Sequence, residues 1–131
     1  MKKWVRGLYG VRQGMEMQIE KREVGPVVVL DVSGRLVLSD PGSDARFKDC
    51  VAELLESGTE SVIVNVANVT DIDTSGLSAL VSAHISMART SKRLKLIAPT
   101  PRMRHLLRVS RLDAVFDVCE TEEEALAGFS T

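Results

Sequence analysis

The sequence predicts a single α/β domain with a mostly parallel central sheet and crossover helices. Three observations lead there. Short β-branched runs alternate with amphipathic segments of helical period, in the order β-β-α-β-α-β-α-β-α. Ser61 to Ala67 (SVIVNVA) is near-continuously apolar, as a strand buried on both faces is. A chain of 131 residues, 44% hydrophobic and 27% charged, is the size and composition of one globular unit.

Taken in order, residues 1–16 read as an N-terminal extension and residues 17–131 as the domain. Met17 to Val24 alternates weakly before the turn pair Gly25-Pro26, as an edge strand does. Val27 to Val32 is β-branched and short, a second strand ending near Gly34, with Leu36, Val37 and Leu38 running into a loop. Ser39-Asp40-Pro41-Gly42-Ser43 is turn chemistry, and Ser43 or Asp44 can cap a helix. Phe47, Cys50, Val51, Leu54 and Leu55 then recur at helical spacing, with Gly58 as the stop. After the central strand, Asn68 to Asp71 reads as a loop. Leu77, Leu80, Val81, His84, Ile85 and Ala88 mark the apolar side of a second helix. Leu94 to Ala98 is a further strand. Thr100 with Pro101 opens a third helix that turns Met103, Leu106 and Leu107 inward. Val115 to Cys119 is the last strand, and Thr121 with Glu124 forms a capping-box pair before Ala125, Leu126 and Phe129.

Composition removes several functional classes. Lys and Arg number 17 against 18 Asp and Glu, a formal charge of −1, so a strongly basic nucleic-acid binder is not expected. The two cysteines, Cys50 and Cys119, lie far apart without a CxxC or a Cys/His cluster, and read as reduced core thiols rather than metal ligands. The longest apolar stretch, Pro26 to Leu30, is far short of the roughly 18 residues of a membrane span. The start, MKKWVRGLYGVRQG, has no apolar stretch of the secretory kind. Trp4, Leu8 and Tyr9 leave a basic membrane-surface segment as a lesser reading.

Enzyme motifs are missing: GxxxxGK[ST], GxGxxG after a strand, HExxH and GxSxG do not occur. His84 falls on the apolar side of the second helix, a core or boundary position, and His105 sits among arginines on the third. The informative segment is Asp71-Ile72-Asp73-Thr74-Ser75-Gly76-Leu77, joining the central strand to a helix start. In such sheets ligands and reactive groups gather at the carboxyl ends of strands. Thr74 and Ser75 place hydroxyls where backbone N–H groups are unpaired, and Gly76 lets another surface come close. A plain helix cap is the simplest reading. A haloacid dehalogenase-type phosphatase would need its Asp directly after the strand and a Thr where Ser stands. An aspartic protease would need Asp-Thr-Gly without Ser75, in an all-β fold.

The stretch VIVNVANVTDIDTSGLSALVSAH resembles the signature of STAS domains, the anti-sigma factor antagonist family of bacteria. The likeness extends through GRLVLSDPGSDARFKDCVAELLESG before it and KRLKLIAPTPRMRHLLRVSRLDAVFDVCETEEEALAGF after it, roughly residues 17–130. The resemblance implies a cytoplasmic partner-switching protein rather than an enzyme, with no cofactor and no metal. It implies binding to an anti-sigma serine kinase through Asp73, Thr74, Ser75, Gly76 and Leu77. Ser75 would be the phosphoacceptor, with Thr74 as the minor alternative, and a serine phosphatase would reverse the modification. Neither nucleic acid nor stable membrane insertion belongs to this picture. The family also includes modules that are never phosphorylated, such as regulatory subunits of transporters. Many antagonists carry Asp after Gly-x-Leu near the end of the second strand. Val37 stands there here, which argues against nucleotide binding.

Charge adds an observation independent of the family. From Thr74 to Leu112 there is no acid, while Arg89, Lys92, Arg93, Lys95, Arg102, Arg104, Arg108 and Arg111 occur. Six acids follow between Asp113 and Glu124. The two blocks either offset each other on the surface or leave a basic face beside Ser75 that steers an acidic partner.

Overall fold

The computed structural model describes the backbone of residues 2–9, 17–36 and 43–129, and the side chains of residues 17–36 and 46–129. The order is β1 (Lys2–Tyr9), β2 (Gln18–Val24), β3 (Val27–Leu36), α1 (Ser43–Glu56), β4 (Ser61–Ile72) and α2 (Thr74–Arg89). Then come β5 (Arg93–Ile97), α3 (Pro101–Val109), a single 3-10 turn (Leu112–Ala114), β6 (Asp117–Cys119) and α4 (Glu122–Phe129).

The six strands lie side by side in chain order. β1, β2 and β3 pair antiparallel, and β3, β4, β5 and β6 run parallel. Part of the segment read as an extension thus adds a strand: Lys2 stands opposite Val24 and Tyr9 opposite Ile19. The expected turn at positions 39–42 and the residue at Val37 lie outside the described residues.

Right-handed crossovers that advance in one direction across a sheet all fall on the same face. The packing agrees. Phe47, Cys50 and Leu54 of α1, Leu77, Leu80, Ala83 and Met87 of α2, and Met103 and Leu107 of α3 join Val28, Leu30, Val62, Val64 and Leu96 in one core. The opposite face carries Val27, Val29, Ile63, Ile97 and Cys119, and α4 covers it with Ala125, Leu126 and Phe129. This two-sided cover explains the unbroken apolar run of β4: Val62, Ile63 and Val64 alternate between faces and all are buried. Ile85, expected on the inner side of α2, is 47% exposed, because the helix buries the narrower stripe of Leu77, Leu80, Ala83 and Met87.

The cysteines are free and buried, and burial pushes the Cys50 thiol up to about 12. The caps of α3 and α4 follow the sequence, while the side chains of Ser43 and Asp44, the candidates for α1, lie outside the described residues. Thr100 Oγ1 accepts from the N–H of Met103, with Pro101 at the first helical position. Thr121 Oγ1 accepts from the N–H of Glu124, whose carboxylate reaches back to the N–H of Glu120.

One polar cluster sits in the α4 side. Arg22 is 4% exposed and its guanidinium bridges two acids, with Nε 2.5 Å from Asp31 Oδ2 and Nη2 2.7 Å from Glu122 Oε1. Asn65 Nδ2 donates to Asp31 Oδ1 at 2.9 Å. The network joins β2, β3 and β4 to the start of α4. The hydrogen bond to Asp31 is the chief reason that the guanidinium holds its proton still more firmly than usual.

Removing one partner of a buried ion pair leaves the others desolvated and unpaired. Arg22→Ala is therefore expected to lower unfolding stability by about 3 kcal/mol in urea denaturation. The exposed pair partner change Arg104→Ala, by contrast, is expected to cost less than about 1 kcal/mol.

Candidate functional site

The site forms where β4 ends and α2 begins. Asn68 to Asp71, expected as a loop, continues β4 instead, because β3 also runs on to Leu36 and pairs with it. Gly34 stands opposite Val69, and Leu36 opposite Ile72. The register shifts after Asp31 and again after Gly34, so β4 carries extra residues as bulges. Polar positions in this stretch face solvent while Val69 and Ile72 stay buried, which is why the sequence there looks like a loop.

Ile72 delivers the chain directly to Asp73, the N-cap of α2, in an extended conformation (φ −121°, ψ −174°). Its Oδ1 accepts from the N–H of Gly76 at 3.0 Å and from the hydroxyl of Ser75 at 2.6 Å. Its backbone carbonyl accepts from the N–H of Leu77 at 3.0 Å. Of the candidate capping groups, the carboxylate of Asp73 takes the role, which leaves Thr74 exposed and Ser75 half-buried. The Ser75 hydroxyl, followed by the backbone N–H groups of Gly76 and Ser75, holds the Asp73 carboxyl below its ordinary pKa.

Gly76 is buried against the end of β3. A Cβ placed on it would lie 2.0 Å from the carbonyl oxygen of Leu36 and 3.0 Å from the Leu36 carbonyl carbon. Absence of a side chain is thus what lets the first turn of α2 rest on backbone. Leu77 is 6% exposed and anchors the same turn in the core. All five predicted residues, Asp73 to Leu77, form one connected helix start. The Ser75 hydroxyl donates its proton to Asp73 Oδ1.

The structure adds neighbours that the sequence did not mark. Asp71 lies between Arg102 Nε, 3.5 Å from its Oδ1, and Arg35 Nε, 3.9 Å from its Oδ2. These groups are solvated and the pairs hold little energy, yet they bring two cations to the carboxyl end of the sheet. Strand register joins Arg35 to Asp71, and register is not visible in a linear reading. The rest of the basic block disperses. Lys95 pairs with Asp117 and Arg104 with Glu120, so part of it is offset by the acidic block. Between α1 and α2 runs a groove of about 270 Å³, lined by Phe47, Val51, Leu55, Ala79, Ser82 and Ala83. His84 stacks edge-on against Phe116 and His105 is exposed. Among the described residues no group of three or more His, Cys, Asp or Glu is placed to hold a metal ion. No described helix is long and apolar enough to cross a membrane.

Two outcomes follow from the cap. Gly76→Ala gains helix propensity of about 1 kcal/mol, but it forces Cβ into the Leu36 carbonyl, and overpacking costs about 1–3 kcal/mol or more. Net destabilisation is expected, read as a lowered melting temperature. The lowered Asp73 pKa gives stability that is complete above the unfolded carboxyl value of about 3.9 and is lost as pH falls through the lower folded value. Asp73→Asn is therefore expected to be less stable than wild type at pH 7, with the gap closing below pH of about 4 in paired denaturation curves.

Solved structures share this fold. A Thermotoga maritima protein assigned as an anti-sigma factor antagonist superposes with a TM-score of 0.79 at 22% identity, over 86% of this chain and 95% of its own. The Bacillus cell fate determinant SpoIIAA in its phosphorylated form gives 0.64 at 22% identity, over 87% of this chain and 99% of its own. The murine Solute Carrier 26 family member A9 anion transporter gives 0.65 at 13% identity, over 96% of this chain but 21% of its own. A search of curated protein sequences finds no match. The family model of the STAS domain matches residues 18–125, and the chain belongs to the STAS domain family.

Proposed function

We propose that the chain is an anti-sigma factor antagonist, a cytoplasmic partner-switching protein that binds an anti-sigma serine kinase and is switched off by phosphorylation at Ser75. The observation that carries this reading is the Ser75 hydroxyl. It is partly accessible, sits in the first turn of a helix, and donates at 2.6 Å to a carboxylate that is itself fixed as the helix cap. Solved neighbours that are antagonists, including one described in a phosphorylated form, support the same role.

The surface around Ser75 suits close protein contact. α2 carries no acid, and its basic residues are His84 and, at its end, Arg89. Thr74, Ser78 and Ser82 are small and exposed on it, and the groove toward α1 runs beside them. A partner packing there meets mainly apolar and hydroxyl groups, with Lys48 as the charge that lines the groove. Phosphate adds about −1.5 to −2 charges to this face, beside Asp73. It also removes the hydrogen that Ser75 gives Asp73 and sets two anions side by side. The positive end of the α2 dipole offsets part of that repulsion, by about 0.3–1 kcal/mol. The fold survives while the partner surface is lost. A few kcal/mol suffices, since about 1.4 kcal/mol is tenfold in affinity. Thr74 is the minor acceptor, and a serine phosphatase restores the hydroxyl.

A second reading has one observation in its favour, the likeness to the domain of a murine anion transporter. In that case the chain is an unphosphorylated module regulating a transporter, and Ser75 is a helix cap partner only.

Phosphosite mapping of the protein isolated from its source organism separates the two. The first reading expects one phosphate on Ser75, absent from Ser75→Ala, with the melting temperature of the phosphorylated form within a few degrees of the free form. Protein that is unphosphorylated under every growth condition would favour the second.

A further inference from the structure

The sheet treats its two edges differently. β6 closes one side with three residues, and α4 follows it closely. A short edge strand leaves little backbone for another chain to pair with. β1 closes the other side with eight residues, KKWVRGLY, and no proline. It lies before the stretch that the family model matches, which begins at residue 18. Among the described residues no strand pairs with its outer side. The partner-switching reading gives β1 no role.

Register tells which backbone groups that outer side presents. Val24 and Val27 stand opposite each other across the two-residue turn Gly25-Pro26, so their backbone groups face one another. Backbone direction alternates along a strand. The groups of Arg22 and Glu20 therefore also point to β3, while those of Glu23, Lys21 and Ile19 point to β1. Lys3 stands opposite Glu23 and Tyr9 opposite Ile19, so the N–H and C=O of Lys3 and Tyr9 point inward. Those of Lys2, Trp4 and Leu8 point out. Between Trp4 and Leu8 the register shifts, β1 taking the steps from 4 to 8 while β2 goes from Arg22 to Glu20. The excess is even, so the alternation keeps its sense through the shift.

We propose that β1 is a dimerisation edge: two copies of this chain pair their β1 strands antiparallel about a twofold axis, and the two sheets become one. Pairing of identical antiparallel strands is isologous and closes at two copies. It hydrogen-bonds the outward row of N–H and C=O groups that an edge strand otherwise presents to any extended chain.

The strand itself is the occupant because its sequence is self-complementary in one register. With Val5 opposite Val5 of the second copy, Lys2 stands opposite Leu8, Lys3 opposite Gly7 and Trp4 opposite Arg6. No two cations face each other directly, which avoids the penalty of like charges in cross-strand pairs. This register also pairs even positions with even ones, so the outward groups of Lys2, Trp4 and Leu8 meet outward groups. Sliding by two residues keeps that match but sets Lys2 opposite Arg6, or Arg6 opposite its own copy. Acids of β2 lie one strand behind, with Glu23 opposite Lys3 and Glu20 opposite Leu8. α2 follows β4, which lies inside the sheet beyond β2 and β3, so the pairing involves no residue of Asp73 to Leu77. It stands or falls apart from the phosphorylation of Ser75.

Sedimentation of the full chain over a concentration series reads the association, and disulfide trapping reads the register. A species of twice the 14.3 kDa chain mass is expected. Trp4→Pro removes an outward N–H and leaves the inward bonds to β2. It is expected to weaken the dimer tenfold or more, with the melting temperature of the dilute protein within a few degrees of wild type. Val5→Cys places its two copies on the axis, within reach of a disulfide, and is expected to give a covalent dimer under mild oxidation. Lys3→Cys, opposite Gly7, lies about 13 Å from its own copy and is expected not to. The native thiols of Cys50 and Cys119 are buried in both variants. A monomer throughout the series leaves the edge to a strand of another protein and overturns the proposal. So does a dimer that Trp4→Pro leaves unchanged, or trapping of Lys3→Cys as efficient as that of Val5→Cys.

Discussion

The start of α2 rests on the backbone of β3, and the site depends on that contact. The carbonyl of Leu36 occupies the space that a side chain on Gly76 would need. Because the two backbones touch, the helix begins at a fixed height above the end of the sheet. Asp73 is then in reach of the N–H of Gly76 and the hydroxyl of Ser75 together. Leu77 drops into the core one residue later and locks the rotation of the turn. Shift this contact and the cap, the orientation of Ser75 and its half-exposure all change at once.

The larger architecture serves the same end. Four parallel strands in chain order send three helices to one face, so α1 and α2 lie side by side with a groove between them. The other face is left to α4, and the ion network around Arg22 ties that helix to three strands. This division separates tasks. On the proposed function, a phosphate at Ser75 would meet the solvated end of one helix, while the cores on both sides of the sheet remain closed. Local charge would then change the proposed docking surface without changing the fold.

Much of this was legible in the sequence, and the reasons differ by element. The β-branched run Val62 to Val64 and the helical spacing of Phe47, Cys50 and Leu54 report burial directly, because both faces of the sheet and one side of the helix are apolar. Asp73 to Leu77 was legible as a unit because a cap, hydroxyls and a glycine have to be neighbours in sequence to act together. What depends on register was hidden. Asn68 to Asp71 looks like a loop, since a bulged strand breaks the two-residue alternation that marks a strand. The pairing of Asp71 with Arg35 and Arg102 is set by β3 and α3 meeting at one end of the sheet. The fate of the basic block was hidden too, because its members alternate around a helix and across a strand, so Lys95 ends against Phe129 of α4 and Arg102 beside Asp71.

On the proposed function, the charge state at Ser75 governs association on the face formed by α2. Affinity capture with three baits, wild type, Ser75→Ala and Ser75→Asp, tests it most directly, followed by measured dissociation constants for a captured anti-sigma serine kinase. The account predicts that Ser75→Ala retains that kinase while Ser75→Asp loses at least about tenfold in affinity, roughly 1.4 kcal/mol. Equal affinity of the two variants for the same partner would contradict it and leave Ser75 as the hydroxyl of a helix cap.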